Sequence, residues 1–172
     1  MRVLGVTVMM ATMGVVEKGS SPAREPTSFE NFYRTNHTAM VRLAYLLTGS
    51  RAIAEELVQD SFLRVQPRWG ALEVPAAYLR RTVTNASYSY LRRRRREEAF
   101  VAERPVAAAA PELDEMWTAL ARLAPRRRAV LVLRFYLDLS EAEIAATLGC
   151  RPGTVKSLTS RALADLREVV EP

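Results

Sequence analysis

Between Tyr78 and Arg96 the chain carries seven arginines, Arg80, Arg81, Arg92, Arg93, Arg94, Arg95 and Arg96, and no acidic residue. A cationic block of this density repels itself until an anion arrives. Within it Tyr78, Arg81, Asn85, Tyr88, Arg92 and Arg96 recur at intervals of three or four, which places them on one face of a helix. Guanidinium groups can bind phosphate bidentately, phenol rings can stack on unpaired bases, and a carboxamide can hydrogen-bond a base edge. That is chemistry suited to single-stranded or melted nucleic acid. The structural alternative is a solvated helix end whose arginines suit the negative pole of the helix dipole.

A second constellation lies near the C-terminus. In Leu139-Ser140-Glu141-Ala142-Glu143-Ile144, Ser140 and Glu143 have the spacing of a capping box, and Leu139 with Ile144 that of a hydrophobic staple. The helix they open is short, with Ile144, Ala145 and Leu148 inward and Gly149 placed to end it in the left-handed conformation. After Cys150-Arg151-Pro152-Gly153 a second helix runs from Thr154, burying Val155, Thr159, Ala162, Leu166 and Val169 or Val170. Two helices joined by a tight glycine turn make a helix-turn-helix, whose second helix enters the major groove by its N-terminal residues. Arg151, Thr154, Lys156, Ser157, Ser160 and Arg161 are therefore candidates for phosphate and base-edge contacts. Arg126, Arg127 and Arg128 could grip the DNA backbone. A helix pair used only for packing is the bland alternative, against which cap, staple, turn and basic N-terminus agree.

The elements that position these groups read as all-α. From Ser28 onward apolar residues follow the helical period, with no strand-like alternation. A first helix spans about Ser28 to Leu47, with Phe29, Phe32, Tyr33, Met40, Leu43 and Leu47 inward and Gly49 at its C-terminus. Ser50 caps a second, whose Ala54, Val58, Phe62, Val65 and Trp69 form one core stripe. Pro75 opens a third, with a seam of Leu79, Val83, Ala86 and Tyr90 opposite the cationic face. Phe100 to Pro111 (FVAERPVAAAAP) has little to pack and reads as a flexible tether. Beyond it come a helix from about Glu112 to Leu123, another from Pro125 to about Leu137, and the helix-turn-helix. The expected organisation is a leader over 1–27, a helical domain over 28–99, a linker over 100–111 and a helix-turn-helix domain over 112–172.

Composition narrows the function. The 172 residues carry Lys+Arg 25 against Asp+Glu 19, a formal +6, which favours polyanionic partners. Cys150 and His37 each stand alone of their kind, so neither an internal disulfide nor a Cys and His zinc site can form. No glycine-rich phosphate loop or recognisable acid pair suggests an enzyme, and no cofactor is expected. Val3 to Val16 is apolar but too short to span a bilayer, and Glu17, Lys18 and Gly19 offer no small-x-small cleavage site. A breaker-rich Gly19 to Pro26 follows, so folded structure is expected from near Thr27.

Three segments in order, Ala54 to Val65 (AEELVQDSFLRV), Tyr78 to Asn85 (YLRRTVTN) and Ser140 to Leu166, closely resemble the extracytoplasmic-function (ECF) sigma factors of the sigma-70 family. The likeness extends from Ser28 to the C-terminus, and the arginine and alanine usage is similar to that of a high-GC actinobacterial genome. The resemblance implies a cytoplasmic subunit that binds core RNA polymerase at the β′ clamp and β flap and directs it to promoter DNA. It makes Glu55, Glu56, Leu57, Gln59, Asp60 and Leu63 polymerase contacts, although Leu57 and Leu63 also read as core. It gives Tyr78 to Arg96 the −10 element, with a loop near Asn85, and the helix-turn-helix the −35 element. It also implies an anti-sigma partner. Gln66 and Leu158 depart from the family, which has tryptophan and a basic residue there. The competing reading, a regulator acting alone on duplex DNA, leaves the Glu55 to Val65 helix without a task.

Overall fold

The computed structural model describes residues 28–98 and 111–170. The leader, the Gly19 to Pro26 segment and most of the tether lie outside the described residues. The first helix, α1 (Phe29–Thr48), begins where the Ser28 side chain accepts from the Asn31 N–H and ends at Gly49, whose φ of 78° lets its N–H reach the Tyr45 carbonyl. After Ser50 caps it, α2 (Arg51–Val65) buries Ala54, Val58, Phe62 and Val65. A 3-10 turn (Gln66–Ala71) then carries Trp69 off the end of that stripe. Trp69 nevertheless reaches the core: its ring centroid lies 4.6 Å from Phe32 and 5.6 Å from Phe29. Gln66 is exposed at the head of this turn. The third helix, α3 (Pro75–Glu98), is continuous, without the loop near Asn85 that the family resemblance implies.

In the C-terminal half, α4 (Pro111–Ala121) and α5 (Pro125–Leu131) are followed by a π turn (Val132–Tyr136), and α6 (Glu141–Leu148) and α7 (Pro152–Val170) form the helix-turn-helix. Asp138, at φ 47°, turns the chain into the capping box. There the Ser140 N–H donates to Glu143 Oε2 at 2.9 Å and the Glu143 N–H to Ser140 Oγ at 3.3 Å. Gly149 closes α6 at φ 61°. Val155, Ala162 and Leu166 are buried, Thr159 is half-buried, and Leu158 packs at the core edge instead of facing solvent as a basic residue would.

Two inward assignments along α1 change. Tyr33 is 37% exposed and Phe29 only half-buried, whereas Ala44, Tyr45 and Leu46 are buried as completely as Leu43 and Leu47. The C-terminal turns of α1 are enclosed on all sides because α4, α5 and the π turn pack against them. The two halves thus share one hydrophobic core, although the sequence suggests two domains on a tether.

Candidate nucleic-acid interface

Burial around α3 decides which of its side chains can meet a ligand. Leu79 and Val83 are in the core as their seam predicts, with Ala86 and Tyr90 half-buried at its edge. Thr84 and Ser87 are also fully buried, and each hydroxyl donates back to a backbone carbonyl of its own helix, on Arg80 and Val83. The covered arc is therefore wider than the apolar residues alone indicate, because α6 of the other half lies along this flank.

This covering removes Tyr88 from the cationic face. Its hydroxyl is enclosed without a hydrogen-bond partner, and burial pushes the phenol well above its ordinary value, with Arg126 and Arg128 opposing. A ring held in this way cannot stack on a base. Arg80 is likewise turned inward: its Nε is buried and unpartnered, and desolvation lowers its pKa while nearby Glu143 raises it.

The remaining members of the predicted stripe stay together. Arg81, Asn85, Arg92 and Arg96 are exposed, and Tyr78 is half-buried. The Tyr78 hydroxyl accepts from Arg68 Nη1 at 2.6 Å, and the Arg68 guanidinium carbon lies 5.9 Å from the ring centre. Beyond Tyr78 and Asn85, the accessible arc takes in Thr82, Ser89 and Arg93, the row turned away from Tyr88. Sequence reading missed Thr82, Ser89 and Arg68. The three-and-four spacing 78, 82, 85, 89, 93 is as regular as the one chosen, and only the position of α6 discriminates between them.

On α2, Glu55, Glu56, Gln59 and Asp60 are exposed, Leu57 is half-buried and Leu63 is 60% exposed. Leu63 therefore does not belong to the core. Glu55 is held by an i,i+4 pair with Arg51 at 3.0 Å. Glu56, Leu57, Asp60 and Arg64 form one wall of a groove of about 570 Å³ whose other wall includes Tyr78, Thr82, Asn85, Ser89 and Arg93. An acidic, apolar-tipped face and a cationic face thus meet along one edge.

In the helix-turn-helix, Arg151 is exposed in the turn just before α7, Lys156, Ser157, Ser160 and Arg161 are exposed along its N-terminal half, and Thr154 is half-buried. Arg126 is exposed, but its two neighbours are committed elsewhere. Arg127 pairs with Asp165 of α7, and Arg128 is buried with its guanidinium on backbone carbonyls. Neither can grip a DNA backbone in this arrangement. Among the described residues no cluster of His, Cys, Asp and Glu could hold a metal ion.

An acidic face with an exposed leucine on α2, a cationic α3 and a helix-turn-helix with a basic second helix together make a two-part, all-helical chain whose cationic surfaces suit DNA. Residues 32–97 match the family model for Sigma-70 region 2, and residues 113–166 that for Sigma-70, region 4. The RNA polymerase sigma-E factor of Streptomyces avermitilis is 35% identical over 156 residues, covering 86% of this chain and 87% of that protein. ECF RNA polymerase sigma factor SigM of Mycobacterium tuberculosis is 31% identical, covering 83% and 77%. The sigma factor RpoE of Bartonella quintana, solved in complex with the anti-sigma factor NepR, is 28% identical with a TM-score of 0.66, over 83% of this chain and 98% of that one. The chain belongs to the ECF group of the sigma-70 family. It binds core RNA polymerase and recognises −10 and −35 promoter elements to initiate transcription; the reading as a regulator acting alone is not favoured.

Proposed function

We propose that the polymerase is met by the α2 face made of Glu55, Glu56, Leu57, Gln59, Asp60 and Leu63, docking on the β′ clamp. The observation that carries this is Leu63: a leucine left 60% exposed on an otherwise well-packed helix, with carboxylates one and two turns before it. Exposed apolar groups ringed by charge are how a docking surface separates affinity from specificity. The open arc of α3, with Tyr78, Arg81, Asn85, Arg92 and Arg96, receives the melted −10 strand. The N-terminal half of α7, with Arg151, Thr154, Lys156, Ser157, Ser160 and Arg161, reads −35 with Arg126 beside it. Residues 28–99 and 112–172 are then the two working domains, the second also contacting the β flap.

The chain supplies specificity and leaves polymerisation to the core enzyme. It works in the cytoplasm, where its DNA is, and among the described residues no helix is long and apolar enough to cross a membrane. The RpoE complex with NepR supports an anti-sigma partner here too. Capture of purified core polymerase by the tagged chain tests the assignment of α2. Gln59→Ala with Asp60→Arg, and separately Leu63→Asp, should each weaken capture at least tenfold with helicity unchanged. Full capture by both variants would overturn the assignment; no capture by the parent chain, with duplex binding intact, would favour the stand-alone regulator.

A further inference from the structure

A cleft beside the C-terminal half of α3 combines groups that promoter reading does not require together. Its floor is apolar, made by Leu91 of α3, Pro125 at the start of α5 and Leu148 in the last turn of α6. Around this floor stand Arg92 and Arg96, one turn apart on α3, and Arg126 on α5, all three exposed. No acidic side chain lines the cleft, whose volume is about 740 Å³. Pockets that hold small organic ligands have this size, with apolar walls and a few placed polar groups.

The charge around the cleft is not neutralised from within. Arg127 pairs with Asp165, and Arg128 is buried with its guanidinium on the carbonyls of Leu47, Leu120 and Ala121. Arg126, Arg92 and Arg96, by contrast, make no ion pair or hydrogen bond among the described residues. Three like charges set around one low-dielectric surface raise the local potential and favour an anion of high charge. Arginines on a single solvated helix face would not share a floor in this way; here two helices from different halves supply them.

Rim and floor together select among anions. An inorganic ion satisfies the rim and leaves the apolar floor in water. A fatty chain with one head group covers the floor but brings a single anionic group to three cations. Guanidinium forks take phosphoryl oxygens bidentately and also stack on the planes of heterocyclic rings. A molecule with two or three linked phosphoryl groups and a flat ring answers both parts of the cleft.

We propose that this cleft is a binding site for a nucleoside di- or triphosphate, with the phosphate chain among Arg92, Arg96 and Arg126 and the base over Leu91, Pro125 and Leu148. The site goes beyond promoter recognition, since its ligand is a free small molecule. It draws on arginines assigned above to the promoter surfaces, so bound nucleotide and promoter DNA exclude one another from these three groups. Binding weakens as salt screens the rim.

Calorimetric titration of the full chain with ATP, inorganic tripolyphosphate and dodecyl phosphate below its micelle concentration, in magnesium-free buffer, tests the site. Attraction by charge alone makes tripolyphosphate bind at least as tightly as ATP; the cleft requires ATP to bind at least tenfold more tightly. Arg126→Ala should weaken ATP binding at least tenfold, whereas Arg161→Ala, which removes the same charge from α7 outside the cleft, should change it less than twofold. Ala124 is exposed at the edge of the cleft and its side chain makes no cap. Ala124→Trp fills the cleft without altering charge and should abolish ATP binding with helicity unchanged. No binding of ATP, equal binding of tripolyphosphate, or ATP binding that survives both Arg126→Ala and Ala124→Trp would overturn the site. Tighter binding of dodecyl phosphate than of ATP would overturn the nucleotide assignment in favour of a lipid phosphate. If Ala124→Trp loses helicity, the contrast between Arg126→Ala and Arg161→Ala decides.

Discussion

Tyr88 shows how far one side chain's role depends on what covers it. On an isolated α3 it would belong to the cationic face; in the structure its hydroxyl is buried without a partner. An unpaired buried hydroxyl is destabilising, so Tyr88→Phe should leave the denaturation midpoint unchanged or raise it. Burial raises the phenol above its unfolded value of about 10. The stabilisation is then fully present below about pH 10 and is lost as pH climbs through the raised folded value. Urea midpoints should fall as pH rises above about 10, and fall less in Tyr88→Phe; Tyr136, raised in the same direction, contributes to the fall that remains. An equal fall in both proteins would remove Tyr88 from this account. Lys156 carries a prediction of different kind: if it contacts one phosphate, Lys156→Ala should reduce the slope of log K against log salt for the polymerase–promoter complex by about 0.9.

At the scale of elements, most caps were legible because they are local. Ser50, Ser140 and Glu143, with Gly49 and Gly149 at the helix ends, need only a few neighbouring residues to act, whereas Ser28, read as the first helical residue, is the cap that precedes it. Ser140→Ala should cost about 1 kcal/mol, with the loss appearing in the stability of the helix-turn-helix half and in −35 affinity; equilibrium unfolding followed beside promoter binding would show it. Gly49→Ala should cost more than Gly149→Ala. Both force alanine to a positive φ, at about 1 kcal/mol or more, but only at Gly49 does the new methyl meet an indole, whereas nothing lies within 4 Å at Gly149. Comparable losses at the two sites would mean that Trp117 moves aside freely. Element faces were less legible than element ends. Periodicity locates α3 and its apolar seam, yet two neighbouring rows of the helix have equally good spacing, and the choice between them belongs to α6.

For the whole molecule, the two halves form a single core in which α1 is enclosed by helices from both sides. With both halves on one core, the free chain should have a radius of gyration of about 14 to 15 Å plus the contribution of its termini, and Trp117→Ala, which removes the indole seated on Gly49, should raise it measurably in small-angle scattering. The arginines separate accordingly into three groups. Arg81, Arg92 and Arg96 face outward with Arg126; Arg127 is tied to Asp165; Arg128 is buried between the two halves, and Arg80 is turned inward near Glu143. Residues that look equivalent in the runs 80–81 and 126–128 thus have different tasks.

By itself the sequence determined the helices, their caps, the core stripe of α2, the helix-turn-helix and the exposed residues of its second helix, because each follows from interactions within a few turns of chain. The same local patterns carried the family likeness, from which the surfaces proposed on α2 and α3 follow. What only the tertiary structure decided were contacts between residues far apart in sequence, such as Arg128 with Leu47 and Trp117 with Gly49. An arginine in a basic run carries no local sign that it will be buried, since the carbonyls that make its burial tolerable are supplied by another helix. The exposure of Leu63 and the covering of Tyr88 were settled in the same way, by which helix lay against each face.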